Sequence, residues 1–149
     1  MSVLDDRQAI SEQLARYALT FDSQDIDGWV ALFTQDGVFE VRFNRSVQPI
    51  FRAQGPERLR AFAAGAPRLL HHITGLVFDE LLVNSARTRA VVVGTWASPE
   101  DGNPAIYTHG TYEQRWSKVA GTWRIAHQAF VSHGYHRAAF ASPHPQREA

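Results

Sequence analysis

Residues 106–131 read IYTHGTYEQRWSKVAGTWRIAHQAFV, and this stretch decides the fold. Ile106 to Lys118 is one long strand, Val119-Ala120-Gly121-Thr122 is its turn, and Trp123 to Val131 returns as a second strand. Upstream, Arg87 to Ala97, rich in Val91, Val92 and Val93, reads as another strand, and so does His71 to Phe78. Before His71 the pattern is mainly helical. Ile10, Leu14, Tyr17, Ala18 and Phe21 recur at helical spacing and predict a helix from about Asp6 to Phe21, with Asp5 and Gln8 as a capping pair. Asp25 can cap a shorter helix carrying Ile26, Trp29, Val30, Leu32 and Phe33, ended by a turn at Asp36-Gly37.

Val38 to Phe43 alternates as a strand, with Phe39, Val41 and Phe43 on one side and Val38, Glu40 and Arg42 on the other. A short strand at Ile50-Phe51-Arg52 precedes a third helix, which Gly55-Pro56-Glu57 starts and Gly65 and Pro67 stop, with Leu59, Phe62 and Ala63 facing inward. Helices first and consecutive strands after is the α+β pattern, helices on one face of an antiparallel sheet. Strands this long imply a strongly curved sheet and a conical cavity. One domain over 1–141 is expected, with a tail over 142–149 containing Pro143 and Pro145, and a connecting loop from Ser98 to Pro104.

Composition narrows the function. Fifteen basic and fifteen acidic side chains cancel, which argues against a nucleic-acid partner or an anionic membrane surface. There are no cysteines, so disulfides and thiolate metal sites are excluded. With no signal-peptide pattern at the start and no run approaching the ~20 apolar residues of a membrane span, a cytoplasmic location is expected. The histidines lack the His-x-x-x-His spacing of a zinc protease, and there is no phosphate-cradling loop, dinucleotide fingerprint or nucleophile elbow. No metal and no cofactor is expected. Four Trp, four Tyr and nine Phe are generous for 149 residues and suit a pocket for flat hydrophobic ligands.

Two features, roughly fifty residues apart, could carry chemistry. Asp22 follows Phe21 at the end of the first helix, and nearby Ser23 and Asp25 can serve as caps, which leaves Asp22 for another role. His71 and His72 open an apolar strand and point to opposite faces, His71 with Ile73, Gly75 and Val77, His72 with Thr74, Leu76 and Phe78. A Gly at 75 suggests a bend or a close approach. A one-residue bulge would exchange the faces, so the choice between His71 and His72 is open. An imidazole, with an ordinary pKa of about 6.5, suits proton transfer at neutral pH when a carboxylate fixes its tautomer.

These residues together resemble a known family. Arg16-Tyr17-Ala18 through Asp22, then Asp25 and Trp29-x-x-Leu32-Phe33, resemble the start of SnoaL-like proteins of the NTF2-like superfamily. His71-His72-Ile73-Thr74-Gly75 resembles their central strand, and Gly110-Thr111-Tyr112-Glu113 and Gly121-Thr122-Trp123-Arg124-Ile125 their closing hairpin. The resemblance implies a cone of about three helices on a curved sheet around an open pocket. The segment from Phe21 to Asp27 is also similar to scytalone dehydratase, whose catalytic aspartate and histidine fall on Asp22 and His71. The dehydrochlorinase acting on hexachlorocyclohexane uses a similar dyad, and bile-acid dehydratases place a tyrosine where Tyr17 stands. The chain departs from scytalone dehydratase at Phe21, near Val41 and near Trp96, and an arginine frequent in the last strand is replaced near His127-Gln128.

The implied activity is a cofactor-independent elimination, of dehydratase type, or a double-bond isomerisation on a small cyclic hydrophobic substrate. His71 would be the general base, Asp22 its orienting group, and Tyr17 a donor to a leaving hydroxyl or a carbonyl. Phe21, Trp29, Val41, Trp96, Tyr112 and His127 are the expected substrate-binding residues. The alternatives are a polyketide-type cyclase, or a non-catalytic binding or scaffold subunit of the same fold, as in the small subunits of ring-hydroxylating dioxygenases. A homodimer or homotrimer is expected.

Overall fold

The structure, a computed structural model, describes residues 2–44, 46–97 and 102–135. The expected domain boundary near 141, the tail after it and Ser98 to Asp101 of the connecting loop lie outside those residues. Three helices, α1 (Val3–Asp22), α2 (Ile26–Val30) and α3 (Gly55–Gly65), accompany six strands: β1 (Phe33–Phe43), β2 (Phe51–Gln54), β3 (Leu70–Leu81), β4 (Ser85–Ala97), β5 (Pro104–Val119) and β6 (Thr122–Tyr135). The strands form one sheet in the order β2-β1-β6-β5-β4-β3, antiparallel except for the β1–β6 pair. This is the α+β, NTF2-like architecture. No described helix is long and apolar enough to cross a membrane.

The sequence explains most element boundaries. α1 starts earlier than the apolar stripe alone indicates, because Ser2 rather than Asp5 is its cap. The Asp5 N–H donates to Ser2 Oγ at 3.2 Å and the Ser2 N–H donates back to Asp5 Oδ2 at 2.6 Å, a reciprocal capping box. Asp25 caps α2 as its position suggests, accepting from the Gly28 N–H at 3.0 Å. α2 ends at Val30, however, so Leu32 and Phe33 are not helical. Phe33 pairs with Ile125, and the chain is already in β1 where a helix end and turn were expected. The β5–β6 turn places Ala120 and Gly121 at φ 48° and 80°, the paired left-handed conformation of a tight hairpin.

The helices cover one face of the sheet. Ile10, Leu14 and Tyr17 of α1 and Leu59 and Ala63 of α3 meet Trp116, Trp123 and Ile125 in one apolar core. Asp6 pins the N-terminal end of α1 to the hairpin: its Oδ1 accepts from Lys118 Nζ at 2.6 Å and from Trp123 Nε1 at 2.8 Å. Those two hydrogen bonds hold its carboxyl below the ordinary value.

Two irregularities decide which side chains face the helices. In β3, Gly75 sits at φ 62° and the pairing with β4 shifts register between Thr74 and Val77. Leu76 and Phe78 therefore join His71 and Ile73 on the helix-covered side, and Val77 turns out to solvent. The simple alternation of β3 is thus wrong beyond Thr74. In β6, Ile125 opposes Trp116 while His127 opposes Arg115, leaving Ala126 as an extra residue. That bulge puts Gln128 and Phe130, not His127, on the inner side.

Candidate active site

The inner face encloses a cavity of about 390 Å³ between α1, α3 and the sheet. Phe39, Val41 and Phe43, on one side of β1, form one wall, and Phe62 and Leu69 form another. Among the described residues, no lysine, arginine or carboxylate lines it; its polar side chains are those of Tyr17, His71, Tyr107, Thr108, Tyr112 and Ser132.

Asp22 reaches His71 twice. The His71 backbone N–H donates to Asp22 Oδ2 at 2.8 Å, and His71 Nδ1 lies 2.6 Å from Asp22 Oδ1. The side chains are 8% and 14% exposed for His71 and Asp22, so the contact is shielded from bulk water. A carboxylate only accepts, so Nδ1 carries the shared proton and Nε2 of the neutral ring keeps its lone pair. No described residue bonds Nε2, on a side chain that lines the cavity. Phe21 and Tyr17 hold the imidazole by ring edges at 5.2 and 6.2 Å.

The position of Asp22 serves no helical purpose. It ends α1, a helix with no basic residue in its last turn, where the macrodipole disfavours a carboxylate by about 0.3–1 kcal/mol. The cap of α2 is Asp25, and the backbone N–H groups of Ser23 and Gln24 close α1 by donating to the Leu19 and Phe21 carbonyls. What remains for Asp22 is its grip on His71.

Tyr17 is buried at the cavity wall, its ring 5.5 Å from that of Tyr112 and 5.6 Å from that of Trp29. Burial pushes its phenol above the ordinary value, and that of Tyr112 likewise. Of the residues expected to bind substrate, Phe21, Val41 and Tyr112 line the cavity. Trp29, Trp96 and His127 do not. Trp29 is wholly buried behind the wall, against Phe33 at 4.8 Å and Phe21 at 5.3 Å. Tyr107, carried out of register between Ile106 and Thr108, takes the wall position, and Trp96 packs against its ring at 5.2 Å.

His127 is carried to the opposite face by the bulge at Ala126. There its Nε2 lies 3.3 Å from the buried Glu40 carboxylate, in a charged groove with Arg42, Arg52 and Arg115. Burial lowers the His127 pKa more than neighbouring Glu40 raises it. Burial alone would raise Glu40; hydrogen bonds from Arg42 and His127 outweigh it and hold the carboxyl low. The cavity residues not singled out from sequence include Phe39 and Phe43, which share the Val41 side of an alternating strand. Tyr107, Phe130 and Ser132 depend on bulges that periodicity does not reveal.

Comparison with known proteins agrees with this architecture. The family model for the SnoaL-like domain matches residues 2–129. No curated protein matches the chain. Rv3472 of Mycobacterium tuberculosis, a protein of unknown function, is 31% identical over 89% of this chain and 76% of its own, with a TM-score of 0.75. The beta subunit of a provisionally assigned aromatic-ring-hydroxylating dioxygenase of Novosphingobium aromaticivorans is 20% identical, covering 92% of this chain and 95% of its own, with a TM-score of 0.79. A provisionally assigned scytalone dehydratase of the same organism is 22% identical over 89% of each chain, with a TM-score of 0.74. At these identities the last two show a shared fold alone. With the family match spanning nearly all of its described residues, this chain belongs to the SnoaL-like domain family.

Proposed function

We propose that the protein is a cofactor-independent lyase that eliminates water, or a comparable leaving group, from a small neutral cyclic substrate. The observation that carries this reading is the Asp22–His71 contact at 2.6 Å beside an open apolar cavity. His71 Nε2 takes a proton from a carbon next to a carbonyl. The released electron pair forms the C=C bond as the C–O bond breaks, and the imidazolium returns its proton to the departing oxygen, which leaves as water. Asp22 holds the ring and stabilises its charged form while the proton is away. Without a leaving group the same transfer moves a double bond, so isomerisation is the neighbouring chemistry. A scaffold role, suggested by the dioxygenase beta subunit, gives no reason for an open cavity or for a carboxylate at an unfavourable helix end. The absence of cationic lining among the described residues favours neutral substrates over phosphorylated or carboxylated ones.

The test is a panel of cyclic β-hydroxy ketones and halogenated cyclohexanes, followed by product chromatography. Turnover of one member is expected to fall by about 10²–10⁴-fold in His71→Ala. Turnover untouched by both His71→Ala and Asp22→Asn sinks the proposal.

A further inference from the structure

The cavity has a second polar end, two strands away from His71. His71 of β3 stands opposite Gly94 of β4, and Gly94 stands opposite Thr108 of β5. Residues paired directly across strands share a face of the sheet, with about 5 Å between neighbours, so His71 and Thr108 point inward together from positions about 10 Å apart. Both line the cavity. At this row β4 puts no side chain between them. A Cβ added to Gly94 would lie 3.2 Å from Thr108 Cγ2 and 3.4 Å from Leu69 Cδ1, two side chains of the cavity lining, so a larger residue would intrude on the gap. Val92, two residues earlier on the same face of β4, does form cavity wall.

The chemistry of this end is set by one carbonyl. Thr108 is buried, and its Oγ1 donates to the Gly134 carbonyl at 3.0 Å. Ser132, equally buried, donates to the same oxygen at a longer 3.4 Å. A hydroxyl has a single proton and two acceptor lone pairs. With its proton directed at Gly134, Thr108 has lone pairs to offer a ligand. A ligand hydroxyl donates to Thr108 Oγ1 and leaves the Gly134 contact intact, a gain of one hydrogen bond. A ligand ether or carbonyl oxygen has no proton to give. It is bonded only if Thr108 turns away from Gly134, which exchanges one hydrogen bond for another and gains none.

We propose that Thr108 is a specificity-determining residue whose hydroxyl accepts a hydrogen bond from a hydroxyl group on the ring system of the substrate, across the gap that Gly94 keeps open beside His71. This deepens the elimination reading and rests on it for the reacting carbon, which faces His71. The substrate class it names is a neutral cyclic compound with a second hydroxyl, one that is retained, on the side of the ring away from that carbon.

The test is equilibrium binding of 2-naphthol, 2-methoxynaphthalene and naphthalene at pH 7, by calorimetry on the full chain. The unaltered protein is expected to prefer 2-naphthol to each of the others by about fivefold, the net worth of one hydrogen bond. Thr108→Val keeps the shape and removes the acceptor. It is expected to erase the preference and leave naphthalene affinity unchanged, whereas Thr108→Ser is expected to retain the preference. Thr108→Ala carries the test should Thr108→Val not fold. His71→Ala is expected to keep the preference, which separates Thr108 from the imidazole as the acceptor. Gly94→Ala is expected to weaken all three ligands together. Equal binding of the three ligands, or no binding of any, by the unaltered protein overturns the proposal. So does a preference that survives Thr108→Val, one that vanishes in His71→Ala, or a parallel loss of all three ligands in Thr108→Val. Unchanged affinities in Gly94→Ala overturn the role of Gly94. Binding requires no turnover, so this proposal and the Asp22–His71 proposal can each fail alone.

Discussion

Among the described residues two carboxylate–imidazole pairs stand, one on each face of the same sheet. Asp22 and His71 meet at 2.6 Å on the inner face, and Glu40 and His127 at 3.3 Å on the outer face. The parts are alike and their surroundings are not. Glu40 also accepts from Arg42 Nε at 2.6 Å and from Arg52 Nη1 at 3.1 Å, so its charge is answered by cations before His127 is counted. His127 is one partner among several in a network that ties β1, β2 and β6 together. Asp22 has no cation beside it among the described residues: its hydrogen-bond donors are the ring and the backbone of one histidine. On the proposed reading, a carboxylate that serves a single imidazole, beside a cavity with room for a ligand, is arranged for proton transfer. A carboxylate surrounded by arginines is arranged for cohesion.

Activity should break the comparison most sharply. His71→Ala is expected to cost about 10²–10⁴-fold in turnover, while His127→Gln, made in the same background, stays within about twofold because nothing on its face reaches the cavity. Comparable losses in the two variants, measured on one substrate, would abolish the distinction between the faces.

Stability should show the reverse order. Glu40 is 3% exposed at its side chain, and Glu40→Gln removes the negative charge that faces Arg42, Arg52 and His127 and turns one of its two acceptor oxygens into a donor. Arg42 and Arg52 retain access to water, at 27% and 48% exposure, so the loss is about 1–3 kcal/mol rather than the full cost of stranding a buried ion. Asp22→Asn should cost less, since it relieves an unfavourable charge at the C-terminal end of α1. Urea unfolding of the two variants checks the order, and a larger loss in Asp22→Asn reverses the assignment of roles.

Acidification sharpens the same contrast. The folded pKa of His127 lies below its ordinary 6.5, chiefly through burial, with Arg115 and Arg42 adding to the effect and Glu40 opposing it. Between the two values the unfolded chain binds more protons, so this contribution is complete above about pH 6.5 and is lost as pH falls toward the folded value. Glu40, held below 4.5, and Asp6, held below 3.8, add losses at lower pH in the same direction. The melting temperature is therefore expected to decline from pH 7 to pH 5, with a shallower decline in His127→Gln. A decline of equal slope in that variant would move the responsible proton elsewhere.

How much of this was legible in sequence depends on which residues are asked about. Long apolar strands, the Asp25 cap and the Pro56 helix start are local signals, and they placed the helices before a curved sheet. Tyr17, Asp22 and His71 came from the resemblance and from an acid ending an apolar helix. The errors share a cause. Trp29 and Trp96 are aromatic residues near the cavity that packing places one layer behind it, and no periodicity separates a wall from its backing. His127 and Gln128 were exchanged because Ala126 inserts one residue into β6, which reverses the side chains from there to Ser132.

Gly75 is where that inversion is written in a single backbone angle. At φ 62° it takes a conformation that costs an L-residue about 1–2 kcal/mol, and an added Cβ would meet nothing nearer than Val91 Cγ2 at 3.9 Å. Space is therefore available and the backbone is the whole penalty. Gly75→Ala is expected to cost about 1 kcal/mol, the smallest loss considered, if the bulge is kept. Relaxing the bulge instead would send Leu76 and Phe78 outward and pull Val77 in, which surrenders core contacts worth more than the strain. The modest value is thus the expected one, with the Asp22–His71 contact retained because it lies before the bulge. A loss well above about 2 kcal/mol would mean that the register itself had moved, and that the inner face of β3 is held by Gly75 rather than by its packing.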